Sequence, residues 1–171
     1  MKNIIIKRIN ADETRGLRKK LLRPTQPNEK LFYYGDDFED TYHAGAFDDN
    51  LLVGIASVCR ENKSQSTGSP VFINNKENIQ GIINKNKPND NTPKSWRLRG
   101  MAVENEYRRN NIGSKLLEAC IEHIKKENGK HLWFNARLVA VEFYKTFGFE
   151  ITSDIFEIED IGPHYNMEKL I

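Results

Sequence analysis

Long apolar runs are missing from this sequence. Its first ten residues, MKNIIIKRIN, hold one run of three isoleucines before charge resumes, too short for the apolar stretch of a secretory signal or for a membrane span of about 20 residues. A soluble, cytoplasmic protein is the expectation. Cysteine is scarce as well: Cys59 and Cys120 are the only two. They lie far apart inside apolar patterns, which suits buried reduced thiols better than a disulfide or a nucleophile. The four histidines, His43, His123, His131 and His164, show no metal-ligand spacing with cysteines or carboxylates, so no metal is expected. One-sided charge is lacking too. The balance of 26 basic against 24 acidic residues leaves a net charge of +2, too even for a chain whose main partner is a nucleic-acid backbone. Small ligands are the better class, and 171 residues suit a single domain spanning 1–171.

What is present reads as an α/β mixture. NIIIKRI suggests a first strand over residues 3–9, and Asp12 is a plausible N-cap for a helix carrying Leu17, Leu21 and Leu22 that Pro24 stops. Arg15, Arg18, Lys19, Lys20 and Arg23 give that helix a basic face, read as a solvated surface. YHAGAFDD and NLLVGIASVCRE form a hairpin around Asp48-Asp49-Asn50. From about 62 to 94 the composition shifts to Asn, Lys, Ser, Pro and Gly, a polar insertion with VFI and GII as the seeds of an extra hairpin. SWRLRGMAVENE resumes as a strand. Ile112, Leu116, Leu117, Cys120, Ile121 and Ile124 then share one helix face, which ends at Asn128-Gly129. HLWFNA suits a strand buried on both faces, VAVEFYKTF a helix closed by Gly148, and FEITSDIFEIEDI and HYNMEKLI the last strands.

The segment YRRNNIGSKLL places a donor-rich turn at the front of an amphipathic helix. A helix begins with amides that lack intrahelical partners, and its dipole adds partial positive charge there, so an anion fits. Arg108 and Arg109 supply charged donors, and Gly113 would let a phosphate approach the backbone. A solvated turn followed by a tight packing glycine explains the same residues equally well.

MAVENEY, RRNNIGSKLL, a strand ending in Asn-Ala and the helix FYKTFGF together resemble the acetyl-CoA-binding half of the GNAT acetyltransferase superfamily. The likeness covers 96–150 well and the flanks acceptably. The family signature, Gln/Arg-x-x-Gly-x-Gly/Ala, is met by Arg108 and Gly113, with Asn111 where the middle glycine is expected; Asn is the residue that best replaces Gly at positive φ. The resemblance implies a central twisted mixed sheet flanked by helices, with strands splayed at the cofactor. It implies that Met101, Ala102 and Val103 pair with the pantetheine arm, that the segment Arg108, Arg109, Asn110, Asn111, Ile112, Gly113 and Ser114 receives the pyrophosphate, and that Asn135 and Ala136 line the opposite wall. Arg137 stands where many members carry asparagine, within the cofactor set but also suited to a substrate carboxylate or a phosphate.

The implied activity is acetyl transfer from acetyl-CoA, as co-substrate, to a primary amine by direct attack in a ternary complex. Tyr144 matches the family's tyrosine that protonates the departing sulfur, and a backbone N–H near Val103 would face the oxyanion. Glu104 and His164 compete as general base; the unperturbed pKa of a histidine, about 6.5, suits that role. Gly-Pro-His near the end, LLRP and Tyr-His-Ala-Gly are similar to the ElaA-like branch. Arg23, Asp36 and His43 are the candidate acceptor contacts: acidic groups would take a polyamine, arginines a carboxylate. A noncatalytic acyl-CoA-binding or regulatory protein is the alternative, and a homodimer is the expectation that relatives suggest. No membrane and no nucleic-acid partner is expected.

Overall fold

A computed structural model describes residues 3–63 and 95–171 of the chain. Strands β1 (Ile4–Ile9), β2 (Tyr42–Asp48), β3 (Leu51–Arg60) and β4 (Ser95–Val103) each run antiparallel to the one before. β4 then lies parallel to β5 (His131–Arg137), and β5 is antiparallel to β8 (Gly162–Leu170), which also carries β6 (Glu150–Ile151) and β7 (Phe156–Ile158). The result is one open mixed sheet of eight strands flanked by helices, the architecture expected. The extra hairpin expected on VFI and GII lies outside the described residues. No helix among them is long and apolar enough to cross a membrane, and no group of three or more His, Cys, Asp or Glu among them could hold a metal.

Parallel neighbours cannot be joined by a tight turn, and the connection from β4 to β5 is the helix α2 (Ile112–Lys126). It buries Ile112, Leu116, Leu117, Cys120 and Ile124 against β2, β3 and β4, where Ala44, Ala46, Val53, Val58, Trp96 and Leu98 complete the core. The left-handed residue at its end is Asn128 (φ 55°), not Gly129. Gly129 is needed for space, because a Cβ there would lie 2.4 Å from Ile124 and 2.6 Å from the Trp96 indole nitrogen.

The N-terminal helix departs from the sequence reading in two ways. Its N-cap is Asn10, not Asp12. The Asn10 side chain accepts from the Glu13 amide (3.0 Å) and the Glu13 carboxylate accepts from the Asn10 amide (2.8 Å), a reciprocal capping box. After α1 (Ala11–Leu17) the chain widens into one π-helical turn over Arg18–Leu22, and the basic face is not simply solvated. Arg18 is fully buried, ion-paired to Asp36 through two contacts of 2.6 and 2.8 Å and stacked 4.0 Å from the centre of the Tyr33 ring. π-Turns inside helices often mark functional sites. This one carries Leu22 and Arg23 to the place where β4 and β5 part.

Candidate active site

β4 and β5 share three register pairs, Ser95 with His131, Trp96 with Leu132 and Arg97 with Trp133. Beyond them β4 continues to Val103 and β5 to Arg137 without pairing to each other. The cause lies partly in β4. Arg99 faces Ser57 and Ala102 faces Ile55, so Gly100 and Met101 together oppose Ala56, a β-bulge. Gly100 takes φ 58°, and a Cβ there would sit 3.0 Å from the Tyr33 ring and 3.1 Å from Arg18 Nε. Glycine meets both demands. The parted strands flank a cavity of about 170 Å³.

The loop that follows β4 is held from below. The Glu104 amide donates to the Val53 carbonyl (2.9 Å), and the Tyr107 hydroxyl donates to Asp48 (2.9 Å), a bond that raises the phenol pKa. Arg109 (φ 61°) and Asn111 (φ 60°) are both left-handed, alternating with Arg108 and Asn110. Asn110 braces the turn by donating to the Tyr107 and Arg108 carbonyls (3.3 and 3.0 Å). Lys115 N–H to Asn111 C=O (3.1 Å) opens the helical ladder, leaving the amides of Ile112, Gly113 and Ser114 ahead of it. Left-handed turns joined to such amides make a concave anion site. Gly113 serves packing: a Cβ would lie 3.3 Å from the Met101 methyl and 3.5 Å from Phe143.

Tyr144 stands on α3 (Val141–Lys145), packed against Phe134, Phe143 and Phe149, and its ring forms part of the cavity wall. Its hydroxyl donates to Met101 Sδ at 3.6 Å, and burial pushes its pKa up. His164, across from Arg137 on β8, shares the same cavity. Nδ1 lies 2.7 Å from the Gly162 carbonyl, which can only accept, so Nδ1 carries the proton and Nε2 keeps its lone pair. Burial lowers the His164 pKa; the Gly162 carbonyl opposes this, and the positive charges of Arg137 and Arg23 lower it further. Arg137 donates from Nη2 to the Leu22 carbonyl (2.9 Å). Asn135 accepts from the Asn166 amide group (2.7 Å).

The acetyltransferase (GNAT) domain profile matches residues 56–171, more than half of the chain. This chain belongs to the GNAT acetyltransferases. The GNAT chain is 30% identical over 167 residues to the uncharacterized N-acetyltransferase YitI of Bacillus subtilis (strain 168), covering 97% of this chain and 95% of that protein. Its fold is like that of Escherichia coli ElaA (16% identity, TM-score 0.67, covering 97% and 99% of the two chains). It is also like that of Arabidopsis thaliana NAA60 in complex with acetyl-CoA (13% identity, TM-score 0.70, covering 99% of each).

Within this GNAT fold the expected site residues divide. Met101, Asn135, Arg137, Tyr144, His164 and Arg23 meet at the cavity, and Arg108 to Ser114 form the loop beside it. Val103 is partly engaged, since its carbonyl accepts from Arg108 Nε (3.2 Å). Glu104 is not among the residues lining the cavity and is ion-paired to Lys20 at 2.6 Å. Asp36 and His43, the other expected acceptor contacts, are not among the residues lining the cavity. Asp36 is engaged by Arg18 and the Tyr33 amide, while His43 is 4% exposed between Ser57 Oγ (2.7 Å) and the Asp36 carbonyl (2.9 Å). Sequence reasoning missed Tyr33, Arg99, Leu22 and the Gly100 bulge. For the last a signal existed, because a glycine interrupting the alternation of RLRGMAV is a bulge mark.

Proposed function

We propose that this acetyltransferase uses acetyl-CoA as co-substrate and transfers its acetyl group to a primary amine by direct attack within a ternary complex. The observation that carries the reading is the parting of β4 from β5 after three pairs, with the left-handed loop and helix start next to it. Strand edges released by the bulge suit an extended amide-bearing arm. The amides from Arg109 to Ser114, with Arg108 and Arg109, suit a diphosphate.

Acetyl-CoA, when bound, supplies the thioester carbonyl that is attacked. The chain's residues supply the proton handling. Tyr144 keeps its proton at neutral pH because burial disfavours the phenolate, so it acts as the acid toward the leaving sulfur. His164 is neutral at pH 7, with Nε2 as the proton acceptor for the incoming ammonium, and its lowered pKa lets it pass that proton on to water. The oxyanion donor in this reading is a backbone N–H near Val103. Cys59 and Cys120 are buried with raised pKa values, which favours direct attack over a covalent acyl-enzyme.

The test is a calorimetric titration with acetyl-CoA followed by thiol-release assays on the wild type and Tyr144→Phe. A general acid contributes roughly 10²- to 10⁴-fold; the variant should lose turnover on that scale while binding acetyl-CoA within about threefold of the wild type. Undiminished turnover removes Tyr144 as the acid. Absence of acetyl-CoA binding removes the enzyme reading altogether.

A further inference from the structure

Tyr144 does not stand alone at the cavity wall. Among the described residues the partner of its hydroxyl is a thioether, since the O–H donates to Met101 Sδ at 3.6 Å. Met101 follows the left-handed Gly100 in the β4 bulge and lines the cavity together with Tyr144. The other end of its side chain is held as well. A Cβ on Gly113 would lie 3.3 Å from the Met101 methyl, so that methyl rests on the first turn of α2, beside Phe143. One unbranched side chain therefore runs from the start of the helix behind the anion loop to the hydroxyl assigned to the departing sulfur. A thioether is a weak acceptor, and a weak hold leaves the O–H free to turn to another sulfur in the cavity.

Solvent access separates this sulfur from the others in the described residues. Met167 is fully buried in the core. Cys59 and Cys120 are buried too, and burial raises both thiols, so they hold little of the thiolate that oxidants attack. Met101 is only half-buried, on a cavity wall where a small solute can meet it. Its chemistry is also coupled to its neighbour. Oxidation turns a thioether into a polar, chiral sulfoxide, and an S–O oxygen accepts an O–H at about 2.7–2.8 Å, a much stronger hold than sulfur provides. The cavity beside Met101 gives that oxygen room, and Tyr144 keeps the proton needed to bind it, because burial disfavours the phenolate.

Resting on the acetyltransferase reading above, we propose that Met101 is a reversible oxidation site, and that its sulfoxide captures the Tyr144 hydroxyl and stops acetyl transfer. The oxidant is a hydroperoxide. A lone pair of the sulfur forms the S–O bond as the peroxide O–O bond breaks. Sulfur is oxidised by two electrons and the peroxide is reduced by the same two. The proton on the transferred oxygen passes to the departing oxygen, which leaves as water or an alcohol. A hydroxyl that donates to the sulfoxide no longer donates to the thioester sulfur, so oxidised enzyme resembles Tyr144→Phe in turnover while the cofactor loop is untouched. Reduction of the sulfoxide by a methionine sulfoxide reductase, one enzyme for each epimer, returns the thioether.

The experiment treats the full chain with hydrogen peroxide, removes the excess with catalase, and maps sulfoxide by peptide mass spectrometry. Met101 should oxidise well before Met167, and filling nine-tenths of the sites with acetyl-CoA should slow its oxidation about tenfold. Thiol release at saturating acetyl-CoA, with the best amine of a panel, should fall by roughly 10²-fold or more, the scale of a lost general acid, with acetyl-CoA affinity within about threefold. Treatment with both sulfoxide reductases should restore it. Two variants, each compared with its own untreated turnover, show whether the effect passes through the hydroxyl. Met101→Leu should be insensitive to peroxide, and Tyr144→Phe, already slow, should change by less than about twofold when Met101 is oxidised. Full turnover with Met101 oxidised overturns the proposal. So does a Met101→Leu enzyme that peroxide still inactivates, or a Tyr144→Phe enzyme that oxidation slows as much as the wild type. A loss of acetyl-CoA affinity with kcat unchanged means a blocked cavity and overturns it as well. All four results leave the acetyltransferase reading standing. Undiminished turnover in untreated Tyr144→Phe, or no turnover of any amine despite acetyl-CoA binding, removes the acid role of Tyr144 and the proposal with it. Failure of the untreated protein to bind acetyl-CoA removes the enzyme reading too.

Discussion

Asp36→Asn separates an architectural carboxylate from a substrate contact. The side chain of Asp36 is 7% exposed and that of Arg18 is 0% exposed, so the substitution leaves a guanidinium buried without its counter-charge. Removing one partner of a buried pair costs about 3–5 kcal/mol. Arg18 retains the Leu31 carbonyl (2.9 Å), Ser57 Oγ (3.2 Å) and the Tyr33 ring, and asparagine can still accept from the Tyr33 amide, which places the expectation near about 3 kcal/mol. For a chain of this size each kcal/mol shifts Tm by about 2–4 °C, so the melting point should fall by about 6–12 °C. The assays are urea unfolding, where the midpoint should drop at constant slope, and calorimetry at matched pH. KM for the acceptor, measured well below the new Tm, should stay within about threefold because Asp36 lies outside the cavity. A variant that melts with the wild type, but whose KM rises tenfold for cationic acceptors alone, would refute the reasoning.

Gly100→Ala places a Cβ at φ 58° and against Tyr33 and Arg18; a loss of about 2–4 kcal/mol is expected, with a larger proportional loss of turnover, and a wild-type melt would show that the bulge is not strained this way. Burial lowers the pKa values of His43 and His164 in the fold, so between their folded values and about 6.5 the unfolded chain binds more protons. Stability should be at full value above pH 6.5 and fall as pH drops through the folded values. His164→Gln should flatten that slope in Tm against pH, and an unchanged slope rejects the assignment. Burial lifts the Cys59 thiol to about 12 and raises that of Cys120 too. Neither should react with an aromatic disulfide reagent at pH 8 until denaturant is added, and stoichiometric labelling of the native protein would contradict this.

The elements with strong local signals were readable in the sequence. The apolar face of α2 repeats with helical spacing, Asp49 and Asn50 turn the hairpin, and Arg108 to Gly113 carried a family pattern. What was hidden depends on distant parts of the chain meeting. Nothing local to Asp36 says that Arg18 will be buried beside it and paired with it. The capping box was visible as Asn10 and Glu13 at the right spacing, but Asp12 offered an equally good cap side chain. Glu104 looked available because Lys20, 84 positions away, gave no sign of reaching it. The charge of the cavity was unreadable for the same reason, since its arginines come from the first helical segment, β4 and β5.

The seam between β4 and β5 has a mechanical consequence. Two antiparallel half-sheets, β1 to β4 and β5 to β8, are joined by three rungs of parallel ladder and by side-chain bonds beside them, such as Trp133 Nε1 to the Glu61 carbonyl. An elongated molecule that bonds to both free edges acts as additional rungs, so occupancy and cohesion of the halves become one equilibrium. At a hundred times its dissociation constant such a molecule adds about 2.7 kcal/mol. Hydrogen-exchange protection gained on its arrival should concentrate along Leu98 to Val103 and Phe134 to Arg137, where β4 and β5 share no register pairs.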